Sequence, residues 1–280
     1  MKSGQCKRNR FRPGDLFLVN RFTLNHIPVR RKIIFTLNKN VPTQVIEGQL
    51  NTAERELLMR AIKEAPKKPQ VAIEVGTWLG GGSTLHILRA LESNGAGHLW
   101  GIEADRAIFE RMNSNIRRGA PEAVARFKPI FGMSQDIIPQ WLAEQDRNFK
   151  VDFVFLDGGN NPLEQIVEFK LLDPFIPVGG QLMSHDAKMR KGKWLVPYIM
   201  RLDNWQCRMN DISEWGLLHA VKRASEPSAE SLKVARSHLL KLRLSPVELV
   251  GAVLPSRVCG FILKLLPQKL FWKLYSGAKQ

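Results

Sequence analysis

The chain alternates short apolar runs with longer stretches in which apolar residues recur every three or four positions. The short runs are Val71 to Val75, His98 to Glu103, Arg126 to Phe131, Val151 to Leu156 and Gly180 to His185. They are brief, rich in β-branched and aromatic residues, and lack strict alternation, which predicts strands buried on both faces of a parallel sheet. Helical spacing predicts helices over Thr84 to Leu91, Arg106 to Arg118, Gln135 to Gln145, Pro162 to Leu172 and Trp194 to Leu202. Thr52 to Glu64 reads as a further amphipathic helix, with Thr52 as its cap and acids in its first turn. Trp205 to Asn210 and Trp215 to Arg223 close the series as two strands joined by polar turn residues. Strand and helix in alternation predict an α/β fold with a doubly wound sheet.

The first strand ends in Glu74-Val-Gly76 and opens into Thr77-Trp-Leu-Gly80-Gly-Gly-Ser83-Thr84. A strand, a glycine-rich turn and a helix N-terminus, here with Ser83 as the expected cap, bring backbone N–H groups against a ligand at the carboxyl edge of a sheet. The spacing departs from the dinucleotide fingerprint G-x-G-x-x-G. Glu103 ends the second strand 27 residues beyond Gly76, about one βαβ unit on, where an acid can accept both ribose hydroxyls of a nucleoside. Asp105 is the expected cap of the helix that follows.

Glu74-x-Gly76-x-x-x-Gly80 resembles motif I of the class I S-adenosylmethionine-dependent methyltransferases. The resemblance implies a Rossmann-like, doubly wound seven-stranded sheet whose last strand is antiparallel, and S-adenosylmethionine as cofactor. It implies cofactor contacts from Glu74, near the cofactor's ammonium, and from Gly76, Thr77, Gly80, Ser83, Thr84, Glu103 and Ala104. Met133 and Ser134 stand where the family lines the adenine, and Asp157 also borders the cofactor. Val151-Asp-Phe-Val-Phe-Leu-Asp157-Gly-Gly-Asn160 and Gly179-Gly-Gln-Leu-Met-Ser-His185-Asp186 each deliver a carboxylate at a strand's carboxyl end. Two hard oxygen ligands converging beside the cofactor suit Mg²⁺ or Mn²⁺.

In this respect residues 50 to 190 look like the small-molecule O-methyltransferases of the catechol and macrolide-sugar type, in which the ion lowers the pKa of the attacking hydroxyl. That resemblance implies Asp157 and Asp186 as metal ligands, with His185 as a third ligand or a base. Lys188, just beyond, joins His185 and Asp157 as a candidate catalytic residue. The chain departs from the pattern at Ala187, where catechol-type enzymes have Asn, and at Asn160, where sugar-type relatives carry a histidine base.

Charge divides the chain in three. Of the net +16, residues 1–40 carry +9, residues 41–224 carry +1 and residues 225–280 carry +6. This predicts a basic N-terminal extension, a methyltransferase domain over 41–224 and a basic C-terminal extension that begins with a helix from Ser228 to Leu242. In the last extension Lys264, Lys269 and Lys273 lie among Leu270, Phe271 and Trp272, which suits a helix lying on an anionic membrane surface or, equally, a layer on the core or a dimer contact. Cys6, Cys207 and Cys259 form neither a metal pair nor a disulfide framework, and no signal peptide is evident, so the expected compartment is the cytoplasm. Lys188, Arg190, Lys191 and Lys193 make a basic run beside the expected site, read as a solvated face or as a seat for an anionic small-molecule or glycan acceptor. Trp194, Trp205 and Trp215 are candidates for stacking on sugars. Two other functions remain open: a nucleic-acid methyltransferase using the basic arms on phosphates, and a non-catalytic binding module on the same fold.

Overall fold

The computed structural model describes residues 46–245 and Glu248. The basic N-terminal extension and the amphipathic stretch around Lys264 to Lys273 lie outside the described residues. Seven strands form one sheet: β1 (Val71–Val75), β2 (His98–Glu103), β3 (Phe127–Phe131), β4 (Phe153–Leu156), β5 (Gln181–His185), β6 (Trp205–Asn210) and β7 (Leu217–Lys222). Their order is β3-β2-β1-β4-β5-β7-β6. β1 to β5 run parallel, and β7 inserts antiparallel between β5 and β6. The expected Rossmann-like sheet with its antiparallel last strand is therefore present.

The helices are α1 (Thr52–Lys63), α2 (Thr84–Asn94), α3 (Arg106–Gly119), α4 (Ser134–Ala143), α5 (Pro162–Leu172), α6 (Gly192–Ile199) and α7 (Ala229–Arg243). On one face Leu58 and Ile62 of α1, Ile87 and Leu91 of α2 and Ile116 of α3 pack on Ala72, Leu99 and Phe153. On the other, Trp141, Phe169, Leu195 and Leu239 pack on Ile73, Val154 and Leu182. α7 thus contributes Ala235 and Leu239 to the core, although its sequence places it in the C-terminal extension. Trp194 and Trp205 are also buried there, which removes both as sugar-stacking surfaces; Trp215 is part-exposed.

Two caps differ from expectation. α1 is capped by Asn51, not Thr52, in a reciprocal box with Glu54. The amide side chain preceding Thr52 reaches the same backbone N–H groups, so the pattern alone does not separate them. Ser83 lies in helical conformation before α2 and makes no side-chain cap bond. Asp105 caps α3 as expected. The strand order reverses between the parallel neighbours β1 and β4, and in such sheets a ligand sits outside the carboxyl ends of the strands at that point.

Candidate active site

At the switch point the turn after β1 is held tightly. Gly76 has φ +86°, and a Cβ there would meet the Asp157 carbonyl oxygen at 2.6 Å. Only glycine tolerates both the left-handed backbone and that approach. Gly80 also has positive φ, and its open side faces Ile116 and Met112 of α3. A side chain at Gly81 would strike the Ile46 and Glu47 backbone, and the Gly81 N–H donates to the Glu47 carbonyl. Gly80 and Gly81 therefore serve packing of the turn. The Trp78 N–H donates to Glu103 Oε2 at 2.9 Å, which ties the turn to the end of β2. Glu103 Oε1 accepts from the N–H groups of Ala104 and Asp105.

Under this turn, Glu74 is fully buried: the Ser83 and Thr84 hydroxyls lie near enough to pull on its carboxyl, but neither oxygen receives a well-aligned hydrogen bond, and the Thr77 hydroxyl is buried and unpartnered too. Burial pushes the Glu74 carboxyl up to about 8, against the pull of the Ser83 and Thr84 hydroxyls and with a further push from the Asp157 and Glu103 charges. A buried acid without a charged or well-aligned donor is costly, and it marks where a ligand's donor fits. Met133 is half-exposed beyond β3 and offers an apolar face. Ser134, by contrast, is buried and donates its hydroxyl to Glu168 Oε1 at 2.5 Å, so a structural partner uses it. Glu168 is itself buried, which pushes its carboxyl up to about 7 against the pull of that hydroxyl. These groups fit S-adenosylmethionine: an unpaired acid for its ammonium, Glu103 at the ribose position and Met133 for the base.

The carboxyl ends of β4 and β5 bring Asp157, His185 and Asp186 together, with one potential ligand atom from each lying within 4.8 Å of the others. His185 Nδ1 is 3.2 Å from Asp157 Oδ1 and 3.3 Å from Asp186 Oδ1, and its Nε2 is 3.4 Å from Glu54 Oε1 of α1. Lys191 Nζ is 2.6 Å from Asp157 Oδ1 and 2.9 Å from Asp186 Oδ2. These three residues do not fit a divalent ion as they stand, because the Lys191 ammonium, with its side chain only 5% exposed, already bridges the two carboxylates. The expected metal set is present as a cluster, and an internal cation holds it.

The acids and bases of the cluster shift one another. Burial alone would lower the His185 imidazole, but Asp157, Glu54 and Asp186 outweigh it and raise it to about 10. His185 is then protonated near neutral pH, which removes it as a resting base. Burial would raise Asp157, but Lys191 and His185 hold it below the usual carboxylate range. The same carboxylates raise Lys191 against its burial. Burial would raise Glu54 too, and His185 beside it holds it low.

Lys188 does not join the cluster. It pairs with Asp211 at 2.7 Å on the surface, and the lysine that reaches Asp157 and Asp186 is Lys191. Arg190 and Lys193 both bind Glu248. Glu54 and Lys191 were the residues the pattern hid: one reads as a first-turn acid, the other as a member of a solvated basic run. The usable signal was Gly192, whose open side sits against the Ala187 backbone and lets the loop double back.

Comparison with known proteins agrees with this geometry. A family described as "Methyltransferase domain" matches residues 73–187. An O-methyltransferase from Bacillus cereus in complex with SAH shares 20% identity at a TM-score of 0.50, over 62% of this chain and 83% of that one. An O-methyltransferase of tomaymycin synthesis from Streptomyces achromogenes, in complex with SAM, shares 17% identity at 0.51, over 63% and 82%. A putative caffeoyl-CoA O-methyltransferase from Staphylococcus aureus shares 13% at 0.51, over 62% and 85%. No curated protein matches the chain in sequence. At these identities the likeness establishes the fold.

Proposed function

We propose that this chain transfers a methyl group from S-adenosylmethionine to a hydroxyl of a small molecule or glycan. The observation that carries the proposal is Glu74, a fully buried carboxyl with no charged partner and no well-aligned hydrogen bond, placed under the turn at the switch point of a methyltransferase-type sheet. Glu74 takes the ammonium of the cofactor, Glu103 its ribose hydroxyls, and Met133 an edge of its base. When bound, the cofactor supplies an electrophilic methyl on a sulfonium. The chain's tasks are then to position the acceptor in line and to accept its proton.

Asp186 is the member of the charged cluster that meets solvent, its side chain 25% exposed against 5% for His185 and Lys191, so it is the group that takes the acceptor proton. Protonated His185 and Lys191 contact it and fix its orientation. The basic extensions serve, on this reading, to hold the enzyme at an anionic membrane surface, supported by their +15 against +1 for the centre. No described helix is long and apolar enough to cross a membrane.

The test is calorimetric titration of S-adenosylmethionine into the wild type, followed by a screen of phenolic, glycan and glycolipid acceptors with methyl-labelled cofactor. Cofactor binding that Glu74→Gln and Glu103→Ala both weaken, with label appearing on an acceptor oxygen, is the expected result. A folded protein that does not bind the cofactor would leave a binding module on a methyltransferase fold. Label on RNA alone would assign a nucleic-acid methyltransferase.

A further inference from the structure

Three carboxylates, from Glu54, Asp157 and Asp186, meet at the carboxyl ends of β4 and β5 and require positive charge among them. A solvent ion is one source, and the chain carries another. After β5 the backbone turns through Asp186 at φ +52°, a left-handed conformation that costs a non-glycine residue of order 1 kcal/mol or more. The Ala187 and Lys188 N–H groups then bind the carbonyls of Gly216 and Trp215, and the Met189 N–H returns to the Asp186 carbonyl. The loop closes where Gly192 lies against the Ala187 backbone, an approach no side chain would allow. These four constraints bring the residue five positions after Asp186 back onto the Asp186 carboxylate. That residue is Lys191, and its ammonium donates to both acids at 2.6 and 2.9 Å.

We propose that Lys191 is a built-in cation that occupies the place of a divalent ion between Asp157 and Asp186, so that the wild-type chain is closed to Mg²⁺ and Mn²⁺ there and becomes a metal site when Lys191 is removed. A divalent ion entering the wild-type cluster would meet an ammonium already within bonding distance of both of its oxygen ligands, whereas a chain lacking that ammonium presents two carboxylates with only the His185 ring beside them, whose Nδ1 joins them as a nitrogen ligand once the metal displaces its proton. Lys191 is a positioning residue, since it acts through Asp186. The inference deepens the proposed reaction, but its test reads metal binding and so fails or stands apart from methyl transfer.

The experiment titrates Mn²⁺ into the full-length protein and follows the free-ion signal by electron paramagnetic resonance, with thermal unfolding in parallel. The wild type should leave the signal unchanged, and its midpoint should be indifferent to EDTA. Lys191→Ala should take up about one equivalent and gain about 5–10 °C at a hundredfold excess over its Kd; Lys191→Gln should move the same way. The gain should vanish in Lys191→Ala combined with Asp157→Asn. One equivalent bound by the wild type and lost in Asp157→Asn would overturn the proposal, as would folded Lys191 variants that take up none. Should neither variant fold, the wild-type titration decides: no Asp157-dependent uptake upholds it and uptake refutes it.

Discussion

Replacing Glu74 with Gln separates the two consequences of burying an unpartnered acid, its cost to the empty fold and its use to the cofactor. The folded carboxyl stands at about 8 against an ordinary 4.5. A group raised on folding contributes fully below its unfolded value and loses that contribution as pH rises toward the folded one. At about 1.4 kcal/mol per pH unit, a rise of some three and a half units means that about 5 kcal/mol of stability drains away between pH 4.5 and 8. Gln cannot ionise, so the variant should escape most of that loss and unfold at a higher temperature than the wild type at pH 8, with the two converging near pH 5. Binding should move the opposite way. Below pH 8 the wild type must give up a proton before it receives the cofactor's ammonium, so its affinity should rise about tenfold per unit from pH 6 to 8. In the variant the profile should be flat and the affinity about ten- to a hundredfold lower at pH 8, the worth of a hydrogen bond to a charged group. Differential scanning calorimetry and isothermal titration at pH 5, 6, 7 and 8 measure both. A variant less stable than the wild type at pH 8, or one that keeps the wild-type affinity and slope, would refute the assignment of Glu74.

Glu103→Ala should lower cofactor affinity by about 1.5–3 kcal/mol in the same titration, with the fold retained because Glu103 is only part-buried; unchanged affinity would remove it from the ribose position. Glu54→Ala takes away one partner of a buried ion pair and should cost about 3–5 kcal/mol, a fall of roughly 6–20 °C in the unfolding midpoint. Because the Glu54 carboxyl is held low, its contribution is present above about pH 4.5 and fades as pH falls through the folded value, so wild type and variant should approach one another in acid. Full-length protein should co-sediment with vesicles of acidic lipid and bind neutral ones weakly, and truncation after residue 250, which spares Glu248, should lose much of that binding while keeping the cofactor. Indifference to acidic vesicles would mean that the arms serve another partner.

Strand positions were legible because the central runs, β1, β4 and β5, are buried on both faces, a condition that local composition expresses directly. β1, β2 and β6 begin and end where the pattern places them. The acids proposed for the cofactor were picked out for a related reason: Glu74 and Glu103 stand at strand ends, and strand ends at a switch point are where ligands bind. The glycines are harder to read, since a side chain at Gly80 would meet α3 and one at Gly81 the segment before α1. Nothing in the spacing tells a glycine kept open for a ligand from one kept open for a neighbouring chain segment. Glu54 and Lys191 escaped for the same reason. Glu54 lies on a helix far from β5 in sequence, and Lys191 reaches Asp157 across 34 residues, so both contacts exist only after the sheet has formed.

The basic run after β5 shows most directly what separates charge from function. As sequence, Lys188, Arg190, Lys191 and Lys193 form one patch, and one patch suggests one anionic acceptor. In the fold they have three destinations: Lys188 goes to Asp211, Lys191 to Asp157 and Asp186, and Arg190 with Lys193 to Glu248. Lys191 and Lys193 are nearly enclosed, with side chains 5% and 10% exposed, so a phosphate arriving from solvent would have to displace an acid already in place. A buried pair broken in that way costs several kcal/mol, more than an exposed phosphate contact returns. The run is therefore spent on holding the loop, on closing the charge of Asp157 and Asp186, and on fastening the start of the C-terminal segment beside α6. On the proposed reaction, selection of the acceptor rests on the surface around Asp186, the acid of the cluster most open to solvent.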